Sequence, residues 1–392
     1  MKKRILLLLN VLFICSVGHA QEQLVKPSYL NYEITNIVKE RILISLDLLI
    51  NQISKGELNS DLITDENSGL TMSTLENFQE YELRKDSVRL KVKDKQVINL
   101  YPVSDNRYSL TIAYASSRTD ETPVILYILN LIAADSNGKI TFSTPINYLT
   151  RYWKTTTIGK ITYHYRGEIN KDRAELFAKK NILIANKLGV NPEKLHFYMC
   201  DNRQEILKLQ GIEYSIRYNG KTRDGYGVDS GTIFSVMNNE DFSHDMFHYY
   251  SGKINERKNR NWITEEGIAY SWGNAYYTDE DREMITHKRL VNELNKYLTN
   301  NPKETILELF KENTKIFNHI APEISVRSTI SGLIANEIEK VKGMEGVQEL
   351  INCGRKDKLK NYMDVIKDLV GITESNFNRK VLKLINTNSN IK

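Results

Sequence analysis

His244 and His248 stand four residues apart in HDMFHYY, residues 244–250. On a helix of about 3.6 residues per turn those two positions lie one above the other, so both rings can aim a nitrogen at one point. Zinc accepts that arrangement through bonds of about 2.0–2.2 Å, and catalytic zinc sites use three protein ligands and leave the fourth position open. A third donor is then required. WITEEGIAYSWG, residues 262–273, supplies two carboxylates, Glu265 and Glu266, the second of them eighteen positions after His248.

HDMFH followed at that distance by Glu266-Gly267-Ile268-Ala269 resembles the gluzincin metallopeptidases, the peptidase MA-like and aminopeptidase N-like group. The resemblance covers residues 166–385. It implies that Glu266, directly before the glycine, is the third ligand beside His244 and His248, that the metal is Zn2+, and that the substrate is a peptide or protein. It also implies that TIFSV, residues 232–236, is the edge strand along which an extended substrate lies.

Two departures from the family pattern bear on the chemistry. A glutamate follows the first histidine in the family and acts as general base toward water. Asp245 occupies that position with one methylene less reach, and misplacement of that size can cost on the order of a hundredfold in rate. Relatives also place a tyrosine before a Ser-Gly or Lys-Gly pair well beyond the glutamate ligand, where it stabilises the oxyanion. The corresponding stretch, SVRSTISG over 325–332, has no tyrosine, which leaves Arg327 or His319 as substitutes. The expectation is a zinc metallopeptidase slowed at Asp245, with a silent binding or scaffold protein of the same fold as the alternative.

These residues need helices to carry them, and the patterning provides them. From Asp241 onward the chain reads as mainly helical, with helices over 241–252, 262–276, 279–299, 302–311, 326–342, 344–352 and 357–370. Upstream, 171–189 reads as a helix closed by Gly189, and KLHFYMC as a strand. Residues 33–54 form an amphipathic helix ending before Gly56, and 86–165 break into strand-like runs separated by turns such as DSNG. The fold class is therefore α+β. An accessory domain is expected over 21–165, the metallopeptidase-like domain over 166–385, and a frayed tail over 386–392.

Bulk properties exclude other classes. MKKRILLLLNVLFICSVGHA, residues 1–20, has the basic start, apolar run and small-residue exit of a secretory signal peptide, so the mature chain is expected to be secreted or periplasmic. Loss of Lys2, Lys3 and Arg4 with that leader lowers the formal charge from +5 to +2, which argues against nucleic acid as a partner. No long apolar run follows, so no stable membrane span is expected. Cys200 and Cys353 remain, free to pair but not needed for a chain of this size. His164 and His196 fall in strand patterns and His287 among charged residues of an exposed helix, so none of them is assigned as a ligand. Glu265 is read as facing solvent or supporting a ligand. Gly225 and Gly227 mark a turn rather than a phosphate loop.

Overall fold

The computed structural model describes residues 33–83, 90, 92–118, 120–217, 226–228, 231–235, 239–275 and 284–389. The expected leader lies outside them. The fold is α+β, and the chain divides into two compact units, 1–152 with 202–224 and 153–201 with 225–392.

The first unit opens with α1 (Asn36–Lys55), whose N-terminus is capped by the Thr35 hydroxyl and whose end is marked by Gly56 in the left-handed region at φ 76°. Ile42, Leu46, Leu49, Ile50 and Ile53 recur at helical spacing and are buried. A second helix, α2 (Ser68–Leu83), follows. It escapes the sequence reading because Thr71 and Thr74 are buried beside Leu70, Leu75 and Phe78 and dilute the apolar stripe. Strands β1 (Asp94–Ser104), β2 (Arg107–Ser117), β3 (Pro123–Ser136) and β4 (Lys139–Ser143) form an antiparallel sheet, followed by the short α3 (Ile146–Leu149). The β3–β4 turn places Asn137 at φ 54° and Gly138 at φ 90°, the paired positive values that a two-residue hairpin loop requires.

The second unit begins earlier than the sequence patterning places it. Strands β5 (Lys154–Ile158) and β6 (Ile161–Tyr165), read as part of the accessory domain, belong to a second sheet because β6 pairs in parallel with β7 (Leu195–Met199), across the helix α4 (Lys171–Lys187). A crossover helix between parallel neighbours is the standard solution to that pairing. The chain then visits the first unit as α5 (Arg203–Leu209) and β8 (Ile212–Ser215), which pairs with β3. It returns as β9 (Tyr226–Val228) and β10 (Thr232–Ser235), giving the order β5-β6-β7-β10-β9. This corrects the edge-strand assignment: β10 lies between β7 and β9, and the edge is β9.

Among the described residues seven helices follow: α6 (Ser243–Ile254), α7 (Trp262–Trp272), α8 (His287–Asn300), α9 (Ile306–Glu312), α10 (Val326–Ile351), α11 (Lys358–Val370) and α12 (Phe377–Asn388). The two helices read over 326–342 and 344–352 correspond to α10, whose single break is Gly343 at φ 65° and ψ −162°. Helix α8 starts at a Thr286 cap, and residues 279–283 of the expected helix lie outside the described residues. Of the tail expected to fray over 386–392, residues 390–392 also lie outside them. Helix α12 continues to Asn388, since Phe377, Val381 and Ile385 bury one face of it in the core. Among the described residues no helix is long and apolar enough to cross a membrane, and no disulfide joins Cys200, which is buried, to Cys353, which is half-buried.

On the second sheet, Nε2 of His164 on β6 and Nδ1 of His196 on β7 are 3.0 Å apart, and the His164 ring stacks on Tyr198 at 4.2 Å. Burial first, and the neighbouring His196 second, push His164 down to about 4. A neutral imidazole in the fold and an ordinary one in the unfolded chain mean that stability is fully present above the ordinary imidazole value and is lost as pH falls toward 4. Denaturant titrations at pH 7 and pH 4.5 should therefore show wild type losing about 2 kcal/mol more than His164→Gln over that interval. Equal losses would remove His164 from the account.

Candidate metal centre

Helix α6 enters its first turn from Asp241, which is 0 % exposed. Its Oδ2 accepts hydrogen bonds from the Ser243 backbone N–H at 3.3 Å and the Ser243 hydroxyl at 2.8 Å, a carboxylate at the positive end of a helix. His244 and His248 follow on one face, their ring centroids 5.1 Å apart. Helix α7 is capped by Asn261, whose side-chain oxygen accepts from Ile263 N at 3.0 Å and Thr264 N at 3.5 Å. It is buried on nearly every side and brings Glu266 to the two histidines.

The structure brings His244, His248 and Glu266 together, each offering one donor atom within 4.8 Å of the others. Glu266 Oε1 lies 3.1 Å from His248 Nε2, and Oε2 lies 3.7 Å from His244 Nε2. Donors on a tetrahedral ion with bonds near 2.1 Å stand about 3.4 Å apart, and the two Glu266–histidine distances bracket that value.

The histidine hydrogen bonding agrees with a missing partner. His244 Nδ1–H donates to the Asn274 carbonyl at 3.0 Å, which fixes the tautomer and leaves Nε2 with its lone pair toward Glu266. Nδ1 of His248 is buried without a hydrogen bond, and Nε2 has Glu266 Oε1 beside it at 3.1 Å. Buried polar atoms are rarely left so. Burial alone would hold His248 low, but the Glu266 carboxylate beside it, with Asp245 and Glu265, leaves it above the usual imidazole value. Glu266 answers in kind. Burial pushes it up, and His248 with His244 holds it below the usual carboxylate range. A nitrogen–nitrogen–oxygen set of this kind can hold a divalent metal ion.

Asp245 sits beside the set, half-buried. Burial raises its pKa, with Glu266 and Asp241 adding to the rise and the two histidines opposing it.

Glu265 does not face solvent. At 2 % exposure its Oε1 accepts from Arg260 Nε at 2.7 Å and from the Ser251 hydroxyl of α6 at 2.7 Å, tying α6 to α7. The proposed oxyanion substitutes also separate. Arg327 donates through Nε to the Phe310 carbonyl at 2.7 Å and through Nη2 to the Lys311 carbonyl, so it caps α9. His319 is exposed. His287 is corrected as well: its Nε2–H donates to the Thr329 carbonyl at 2.8 Å, and burial holds its pKa below the usual value.

Several participants carry no signal in the sequence. The Asn274 contact to His244 is a backbone carbonyl, and the Asn274 side chain donates to Asp241 Oδ2 at 3.1 Å. Trp262, 55 % exposed, stacks on the His248 ring at 5.6 Å and 7°. The Glu-Gly signature has a packing cause. A Cβ on Gly267 would lie 2.5 Å from Ser331 Oγ and 2.8 Å from Gly332 N, so only glycine lets α7 approach α10 this closely. Comparison with known protein-family models and with curated proteins finds no match for this chain.

Gly267→Ala should destabilise the protein by about 1–3 kcal/mol in denaturant titration, because the helices must separate to admit the methyl group. Asp241→Ala should weaken divalent-metal affinity by about 10–100-fold in competition with a chelating dye, since it frees the Asn274 loop that orients His244. An unchanged affinity would show that Asp241 only caps the helix.

Proposed function

We propose that the chain is an exported zinc metallopeptidase of the gluzincin type, with His244, His248 and Glu266 holding the metal and Asp245 serving as general base. The observation that carries this reading is the convergence of three donor atoms from two helices, with His248 Nε2 3.1 Å from Glu266 Oε1. The basic and apolar start of the chain supports export. Zinc held there supplies a Lewis acid and a water nucleophile usable at neutral pH.

The chain's own residues account for the rest. The Asn274 carbonyl holds the His244 ring in place, the Glu265–Arg260–Ser251 cluster holds the helices in register, and the Trp262 indole covers one face of His248. Asp245 takes the proton from water and passes it to the leaving amine. Its shorter side chain limits its reach toward that water.

One observation favours a second reading, a silent binding protein on the same scaffold. Arg327 is committed to the carbonyls of α9 and SVRSTISG has no tyrosine, so the oxyanion has no evident donor from that segment.

Purified protein loaded with zinc and dialysed should retain a single ion per chain, and His244→Ala should retain none. Wild type should cleave members of a mixed peptide library, with Asp245→Glu raising kcat/KM by about a hundredfold. Zinc retention without cleavage by either protein would leave the silent reading standing. Failure to retain zinc would remove both.

A further inference from the structure

The second unit also carries a cleft that shares no residue with the metal centre. One stripe of α10 and one stripe of α12 form its walls, and Val370 and Ile372 close it at the end of α11. Its volume is about 710 Å³, within the range of sites that take a drug-sized molecule or a short peptide segment. The lining residues recur at helical spacing on both walls, Leu333, Glu337 and Lys340 on α10 and Lys380, Lys383 and Leu384 on α12.

The lining combines two features that ordinarily separate on a protein surface. Leu333 and Ile372 are buried within it and Leu384 is half-buried, while Val341 on the α10 side is 56 % exposed. Around these apolar groups stand Lys340, Arg379, Lys380 and Lys383, and Glu337 is the one carboxylate among the lining residues. Lys380 Nζ donates to the Val370 carbonyl at 2.8 Å. Lys340, Arg379 and Lys383 are exposed and form no ion pair or side-chain hydrogen bond with any described residue. The chain holds 49 acidic residues, so carboxylates to neutralise them are plentiful elsewhere.

Like charges gathered on facing helices repel, and a ligand carrying several negative charges relieves that repulsion while gaining from a concave site that concentrates the field. A lone carboxylate answers only one of three unpaired cations. An inorganic anion leaves the apolar floor uncovered. A segment that alternates acidic and apolar side chains meets both demands, and two facing helices with an open seam are the form in which such a segment is received.

We propose that this cleft binds an acidic peptide segment bearing apolar side chains, at a site separate from the metal centre.

The test is fluorescence anisotropy of the full-length protein with a labelled peptide of alternating glutamate and leucine, run beside Lys-Leu and Glu-Ser counterparts. Saturable binding of the Glu-Leu peptide is expected, weakened by salt and about tenfold weaker in the double variant Arg379→Glu/Lys383→Glu. Lys340→Glu, on the opposite wall, should weaken it in the same direction, and circular dichroism melts confirm that each variant is folded. Binding should be unchanged by a metal chelator or by His244→Ala, which keeps this result independent of the proposed zinc chemistry. No saturable binding, or full affinity in the charge-reversed double variant, would overturn the proposal. So would capture by phosphatidylglycerol vesicles that depends on Arg379 and Lys383 while the peptide stays unbound, since the site would then be a lipid-facing one.

Discussion

Three consecutive residues of α7 point in three directions, and the second unit is organised around that fact. Successive residues on a helix are about 100° apart, so Glu265, Glu266 and Gly267 face different neighbours. Glu265 reaches Ser251 on α6 and Arg260 in the connection between the two helices, Glu266 reaches the histidine pair, and Gly267 meets Ser331 and Gly332 of α10. A helix can be surrounded this closely only if one side carries no Cβ and another carries a charge that is fully paired. The buried Glu265 ion pair is not a large source of net stability, because desolvation opposes its Coulombic gain. Its value lies in register, since a shifted α6 would carry His244 and His248 away from Glu266.

Around the donor atoms the polar groups divide into those that are satisfied and those that are not. Asp241 Oδ2 gathers bonds from Ser243 and Asn274, and the Asn274 carbonyl takes the His244 Nδ1–H. That second layer holds the His244 ring in one tautomer, with Nε2 facing Glu266. His248 differs, with Nδ1 buried and without a hydrogen bond and Nε2 set 3.1 Å from Glu266 Oε1. An unsatisfied buried group costs about 1–3 kcal/mol.

Net charge hides the other feature of this unit. A formal charge near neutrality gives no hint of a cation cluster, yet α10 and α12 set Lys340, Arg379 and Lys383 around one cleft. Those residues are distant in the chain and unremarkable in either segment, because a stripe of cations on a single helix is an ordinary solvated face. Only the juxtaposition of two stripes over apolar ground gives them a common role.

What the sequence determined by itself was local: the i,i+4 histidine pair, the Glu266-Gly267 dipeptide, the strand runs, the turn at Asn137-Gly138 and the break at Gly343. Each follows from periodicity or backbone conformation that a few neighbouring residues decide. The α+β class followed from the same signals. Tertiary structure decided the rest. It put β9 rather than β10 at the sheet edge, moved β5 and β6 to the second sheet, buried Glu265 and turned the His287 ring inward. It also committed Arg327 to a helix end and supplied the Asn274 carbonyl that holds His244. These outcomes depend on which segments meet, and a backbone carbonyl or a burial partner far along the chain leaves no mark on the residues beside it.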